Sequence, residues 1–163
     1  DAATGAEKWR YNANGSWIIS SPAVAAGKVI FGTSDSSLYV VADAATGKVV
    51  AQVQGNAYMF SSPAVAGSVV FTGILNGSLE ARDLDSGALL WEFQTDASKR
   101  NAGWILTADR KFNAPLFYPS AWRESPIVSA AQQFAIGAIF SSPLVVGRTL
   151  YFGSTDGNLY ALE

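Results

Sequence analysis

Residues 141–163 read Ser141-Ser142-Pro143-Leu144-Val145-Val146-Gly147-Arg148-Thr149-Leu150-Tyr151-Phe152-Gly153-Ser154-Thr155-Asp156-Gly157-Asn158-Leu159-Tyr160-Ala161-Leu162-Glu163. Three short apolar runs are separated by Val146-Gly147-Arg148 and by Ser154-Thr155-Asp156-Gly157-Asn158. Runs of three to six residues rich in Val, Leu, Tyr and Phe, closed by Gly, Asp and Asn, are strand and tight-turn chemistry. The same wording recurs upstream. Ser20-Ser21-Pro22-Ala23-Val24-Ala25 and Ser61-Ser62-Pro63-Ala64-Val65-Ala66 match its start, and Gly32-Thr33-Ser34-Asp35 and Gly73-Ile74-Leu75-Asn76 match its second turn.

The prolines Pro22, Pro63 and Pro143 stand 41 and 80 residues apart. A second motif keeps the same step: Asp1-Ala2-Ala3-Thr4-Gly5, Asp43-Ala44-Ala45-Thr46-Gly47 and Asp83-Leu84-Asp85-Ser86-Gly87. A period near 41 with four strands per unit is the signature of propeller blades. The expected fold is all-β: a β-propeller of about four four-stranded blades, 14 to 16 strands with little or no helix. Residues 1–163 form one domain or fragment. Its repeats are 20–60, 61–100, a degenerate third at 101–140, and 141–163 completed by 1–12. The doubled proline spacing places the degenerate blade, with Trp104 to Phe112 as strand, turn and strand and Gln132 to Gly137 as its outer strand. A long functional loop is the other reading of that stretch.

Composition narrows the chemistry. Among 163 residues there is no Cys and no His, so thiolate catalysis, Ser-His-Asp triads and the usual zinc ligands are excluded. A net charge of −2 gives no basic footprint for nucleic acid. No apolar run approaches the roughly 20 residues that span a bilayer. No residue is assigned a catalytic or metal-ligating role.

These motifs resemble the quinoprotein-type, or PQQ-like, β-propeller repeat, whose pattern residues 141–163 follow almost throughout. In that family a Trp at the end of each repeat docks between blades. Trp9 and Trp91 match it, Ala51 departs from it, and Phe134 is the substitute in the degenerate copy. The family's rings of seven or eight blades imply that this chain is part or half of a larger one. Closure would then pair residues 7–11 with the blade of 141–163, in the same chain or in a neighbour.

The resemblance implies two functions. One is a non-catalytic scaffold, as in the propeller lipoproteins of outer-membrane protein assembly, binding another protein or a second copy in a periplasmic or extracellular setting. A missing N-terminal anchor would tie it to the membrane. No cofactor is expected in that case. The other is a fragment of a quinoprotein dehydrogenase holding PQQ and calcium in its channel. Loops on a rigid scaffold collect binding residues, which nominates Trp17 and Tyr58, one repeat apart. Capping of their own blades is the competing reading. The 101–140 stretch adds Arg100, Trp104, Trp122 and Arg123 as binding candidates, with a solvated loop as the alternative. Asp35, Asn76 and Asp156 read as hairpin formers before calcium ligands. Gly5, Gly47 and Gly87 are the turn glycines, expected at positive φ.

Overall fold

The computed structural model describes residues 1–34, 38–117 and 125–163. Its first blade is a four-stranded antiparallel sheet of β1 (Ala23–Ala25), β2 (Lys28–Gly32), β3 (Leu38–Asp43) and β4 (Val49–Gln54). The second repeats it with β5 (Ala64–Ala66), β6 (Val69–Gly73), β7 (Ser78–Asp83) and β8 (Leu89–Gln94). The last sheet has three strands, β9 (Leu144–Val146), β10 (Thr149–Gly153) and β11 (Leu159–Leu162). Every pairing is between sequence neighbours. In β4 the alternation of half-buried Val49, Ala51 and Val53 with exposed Val50, Gln52 and Gln54 has the period of a strand with one covered face.

Residues 101–140 correct the expected degenerate blade. Helix α1 (Asp96–Ile105) occupies the first expected strand, and α2 (Ala114–Phe117) and α3 (Ser125–Ala135) follow it. Gln132 to Ala135 belong to α3, so they form no outer strand, and Phe134 lies exposed on that helix and docks no blade. The described residues thus hold eleven strands and three helices. The physical reason lies in local chemistry. Thr95 caps α1, its hydroxyl accepting from Ser98 N at 3.2 Å, and Asp96 complements the helix N-terminus. Ala97, Ser98 and Ile105, spaced for one helical face, are buried. The 80-residue spacing therefore separates adjacent blades: Ile139 N donates to Ile74 O at 3.2 Å, and Ser61 Oγ donates to Ser141 O at 2.8 Å.

Blades meet through a large residue set on a glycine. A Cβ on Gly32 would stand 2.6 Å from Met59 Cβ, and one on Gly73 would collide with Ile139. Around the first contact Ile30, Val41, Met59, Val70 and Ile74 form one core; around the second Leu79, Ile139, Leu150 and Phe152 form another. The middle blade is covered on both sides, and β7 is buried through five of its six residues. It holds a buried ion pair, Glu80–Arg82 at 2.7 Å, whose arginine also donates to Gly87 O at 2.9 Å.

The Asp-x-x-Thr/Ser-Gly turns are built alike. Asp43 Oδ1 accepts from Thr46 N at 2.8 Å and Thr46 Oγ1 at 2.7 Å, and Asp83 does the same with Ser86. These hydrogen bonds hold both carboxyls below their ordinary value of 3.8. Gly5, Gly47 and Gly87 have φ of 72°, 71° and 72°. Residues 7–11 run along blade 1. Trp9 Nε1 donates to Ala44 O at 3.0 Å, and Tyr11 meets Phe31 edge-on with centroids 5.1 Å apart. They do not pair with β11, so closure of the last blade within the chain is not adopted.

Replacing Gly47 with Val is expected to cost about 1–3 kcal/mol, because its Cβ would lie 2.7 Å from the Trp9 ring at positive φ. The same change at Gly5, whose Cβ position is open, meets only the backbone cost. Thermal melts with tryptophan fluorescence should show the larger loss, and a red-shifted Trp9, at Gly47 alone.

Candidate partner-binding face

The loops that enter the inner strands lie on the side of the hairpin tips, and each is tied to its own tip by one backbone bond. Ser34 N donates to Trp17 O at 2.9 Å, Leu75 N to Tyr58 O at 3.1 Å and Thr155 N to Ala138 O at 3.0 Å. Trp17, Tyr58 and Ala138 are therefore one repeat position in three blades. Their exposure differs. Trp17 is 67% exposed, Tyr58 is half-buried and Ala138 is fully buried.

Sequence fixes how Trp17 is held out. Asn12 Oδ1 accepts from Asn14 N at 2.8 Å, Asn14 and Gly15 have φ of 51° and 90°, and Ser16 N donates to Ala13 O at 3.0 Å. That tight turn delivers Trp17, whose N donates to Ser34 Oγ at 2.9 Å. The indole thus projects from a backbone pinned at both its N–H and its C=O. Tyr58 stacks on Phe60 with centroids 5.9 Å apart, and Phe60 meets Phe140 at 6.3 Å. A groove of about 470 Å³ is lined by Asn14, Ser16, Trp17, Ser34, Tyr58 and Phe60. Among the described residues that line it there is no Asp, Glu, Lys or Arg.

The other sequence candidates fall elsewhere. Arg100 and Trp104 are exposed on α1, where Lys99 sits over the Phe93 ring at 5.1 Å, and neither lines the groove. Trp122 and Arg123, like Asp35, lie outside the described residues. Trp91 stands 42% exposed on β8, against Phe71. Asn76 and Asp156 are engaged as turn formers: Asn76 Oδ1 accepts from Ser78 N at 3.1 Å and Asp156 Oδ1 from Asn158 N at 3.1 Å. Burial pushes the Asp156 carboxyl up, but the Tyr160 hydroxyl, donating at 2.6 Å, and the Asn158 backbone outweigh it and leave the pKa lowered.

Two contributors escaped sequence reasoning. Phe60 and Phe140 precede Ser-Ser in their repeats, as Ile19 does, so a repeat alignment would have marked that position. Arg110 belongs to the basic residues concentrated in the stretch after Asp96, where a recognition surface or a solvated loop was expected. It fastens the helical insertion to blade 2, with Nη2 donating to Ser78 Oγ at 2.8 Å and Ser98 Oγ at 3.0 Å and Nε 3.1 Å from Glu92 Oε1.

The PQQ–calcium alternative needs carboxylate, amide and guanidinium groups gathered at the channel. The inner strands are Ala-Val-Ala, Ala-Val-Ala and Leu-Val-Val, and no three of His, Cys, Asp and Glu cluster as ligands among the described residues. The donor set does not fit that group. No described helix is long and apolar enough to cross a membrane.

With this geometry in place, comparison with known proteins decides the family. Residues 1–163 match the family model described as outer membrane protein assembly factor BamB. The chain belongs to that family of PQQ-like propeller proteins. It is 30% identical over 155 residues to the outer membrane protein assembly factor BamB of Shewanella oneidensis, covering 85% of this chain and 39% of that one. The chain thus spans about two fifths of that relative's length. Among solved structures, BamB from Moraxella catarrhalis superposes with a TM-score of 0.63 at 21% identity, over 95% of this chain and 37% of that one. The quinohemoprotein alcohol dehydrogenase of Comamonas testosteroni gives 0.61 at 20% identity, over 94% and 25%. At these identities the two structures speak for the propeller fold alone.

The two sides of the position can be told apart by stability. Met59→Ala, emptying a fully buried inter-blade site, is expected to cost about 2–5 kcal/mol. Trp17→Ala should stay within about 0.5 kcal/mol of the parent in urea titrations, because the indole is mostly exposed.

Proposed function

We propose that the chain is a non-catalytic periplasmic scaffold that takes part in outer-membrane protein assembly by holding a protein partner on its loop face. The observation that carries this reading is the Trp17–Tyr58–Phe60 groove. A 67% exposed tryptophan on a pinned backbone beside stacked aromatic rings supplies a large, rigid, amphipathic contact. Such anchors dominate interface energies when a partner desolvates them. The name borne by the matching family and by the Shewanella relative supports the assembly setting. The partner suited to this groove is an apolar segment with hydrogen-bonding groups for Asn14, Ser16 and Ser34, because the described lining residues carry no charge.

A photo-reactive amino acid placed at residue 17, in the chain expressed in the periplasm of a Gram-negative host, tests this directly. The expected adducts join the chain to proteins of the outer-membrane assembly pathway. Adducts no different from those at exposed Ala45, on the Asp43 turn, would remove the reading.

The scaffold reading carries no bound cofactor. Adding PQQ with calcium to the purified chain should leave its melting midpoint unmoved. A ligand at a hundred times its Kd stabilises by about 2.7 kcal/mol and would raise the midpoint by several degrees, which would restore the dehydrogenase reading.

A further inference from the structure

Arg110 joins the tip of blade 2 to the helical insertion, and we infer that it is a positioning residue for the partner-binding groove, setting the wall formed by Tyr58 and Phe60. The inference rests on the reading of that groove as the partner site.

A turn of its own delivers Arg110. Thr107 N donates to Lys111 O at 2.8 Å and Arg110 N to Thr107 O at 2.9 Å, with Leu106 and Phe112 bridged at the base. In this turn Arg110 has φ of 62°. A side chain makes that left-handed backbone costly, whereas glycine adopts it freely. The contacts of the guanidinium offset the strain. Its group is largely buried among three elements: Nη2 donates to Ser78 Oγ on β7 at 2.8 Å and to Ser98 Oγ on α1 at 3.0 Å, and Nε lies 3.1 Å from Glu92 Oε1 on β8. A lysine ammonium is a single point without the fork, so it does not reproduce this spread of contacts.

Two routes lead from Arg110 to the groove. The first is backbone. Asn76, at the tip of blade 2, donates from Nδ2 to Arg110 O at 3.2 Å, and its own carbonyl accepts from Arg110 Nη2 at 3.4 Å and from Ser98 Oγ at 3.0 Å. The preceding residue, Leu75, donates its N–H to Tyr58 O at 3.1 Å. The tip that Arg110 grips is therefore the tip that holds the backbone of Tyr58. The second route is the core. Leu106, at the base of the Arg110 turn, belongs to the buried cluster on which Tyr58, Phe60 and Phe112 are packed. Tyr58 and Phe60, stacked with centroids 5.9 Å apart, both line the groove.

Residue choice at the tips agrees with this role. In the last blade Asp156 fills the position of Asn76, its carboxylate accepting from Asn158 N and from the Tyr160 hydroxyl. In blade 2 the same position has to accept from Ser78 N and donate to Arg110 O. An amide does both and a carboxylate does not. Asn76 is thus fitted to Arg110.

Fluorotyrosine placed singly at residue 58 or at residue 151, on β10, reports on the groove wall and on a distant blade with no partner present. Arg110→Gly removes the guanidinium and relieves the positive φ. It should move or broaden the fluorine resonance at 58 and leave the one at 151 in place. Arg110→Lys, which keeps the charge, should also move the signal at 58, and it decides the matter alone if Arg110→Gly does not fold. Lys111→Ala, at the exposed neighbour paired with Asp109 at 2.8 Å, should move neither. In the periplasm both Arg110 variants should lower the yield of adducts from residue 17 on the order of tenfold, the effect of roughly 1.4 kcal/mol. A parent-like signal at 58 in Arg110→Lys, an equal displacement by Lys111→Ala, signals at 58 and 151 displaced together, or adducts undiminished in both variants would each overturn the inference. Parent adducts at residue 17 no different from those at Ala45 would instead remove the partner reading, while the fluorine signals still decide whether Arg110 sets the wall.

Discussion

A glycine at the end of β2 and of β6, with a large residue of the next blade set on it, is the contact on which the rest of the fold depends. A blade is a small sheet that cannot bury both faces by itself, and its neighbours do it instead. Where Met59 covers Gly32 and Ile139 covers Gly73, sheets approach without intervening side chains and Ile30, Val70, Ile74 and Leu150 are enclosed. Each such buried aliphatic side chain contributes about 1.5–3 kcal/mol. Stability in an array of this kind is a sum over neighbouring pairs, and each internal junction here has its own core.

The middle blade shows what double coverage permits. Glu80 and Arg82 sit on β7 where blade 1 has Val40 and Ala42, and they are nearly as buried as those residues. A buried pair pays a desolvation cost that its mutual attraction does not reliably repay, and this one is kept by further bonding, since Arg82 also binds the carbonyl of Gly87. That carbonyl belongs to the turn receiving Val53 of blade 1. The ion pair thus stiffens the turn against which the neighbouring blade packs, a role the apolar residues of blade 1 do not fill.

Blades 1 and 2 and the three strands of the last were legible because every step of their construction is local. The second turn and the Asp-x-x-Thr/Ser-Gly turn fix strand ends by hydrogen bonds within a few residues. The helical insertion was not legible, because a doubled spacing is met equally by a missing blade and by inserted chain between adjacent ones. Distinguishing them required the contact of Ile139 with Gly73, which is long-range. Local signals for helix were present, in Thr95 before Asp96 and in the absence of alternating β-branched residues from 96 to 105, but the repeat arithmetic outweighed them. At the candidate site Trp17 and Tyr58 were visible as departures at one repeat position. Arg110 was not, since its importance comes from the distant Ser78, Ser98 and Glu92 that it meets.

The insertion also explains why the site lies where it does. Leu75, Ile105, Leu106, Ile136 and Ala138 form a core over the tip of blade 2, with Tyr58 and Phe60 packed on its margin. The shared repeat position is consequently covered at Ala138, half covered at Tyr58 and uncovered at Trp17. Residue choice follows coverage: an alanine fits under the helices, whereas the indole is held beyond them by its own turn. A perfect repeat would present three equal loops and no preferred place to bind. Adding helices to one side breaks that equivalence and leaves the aromatic groove beside Trp17 outside their cover.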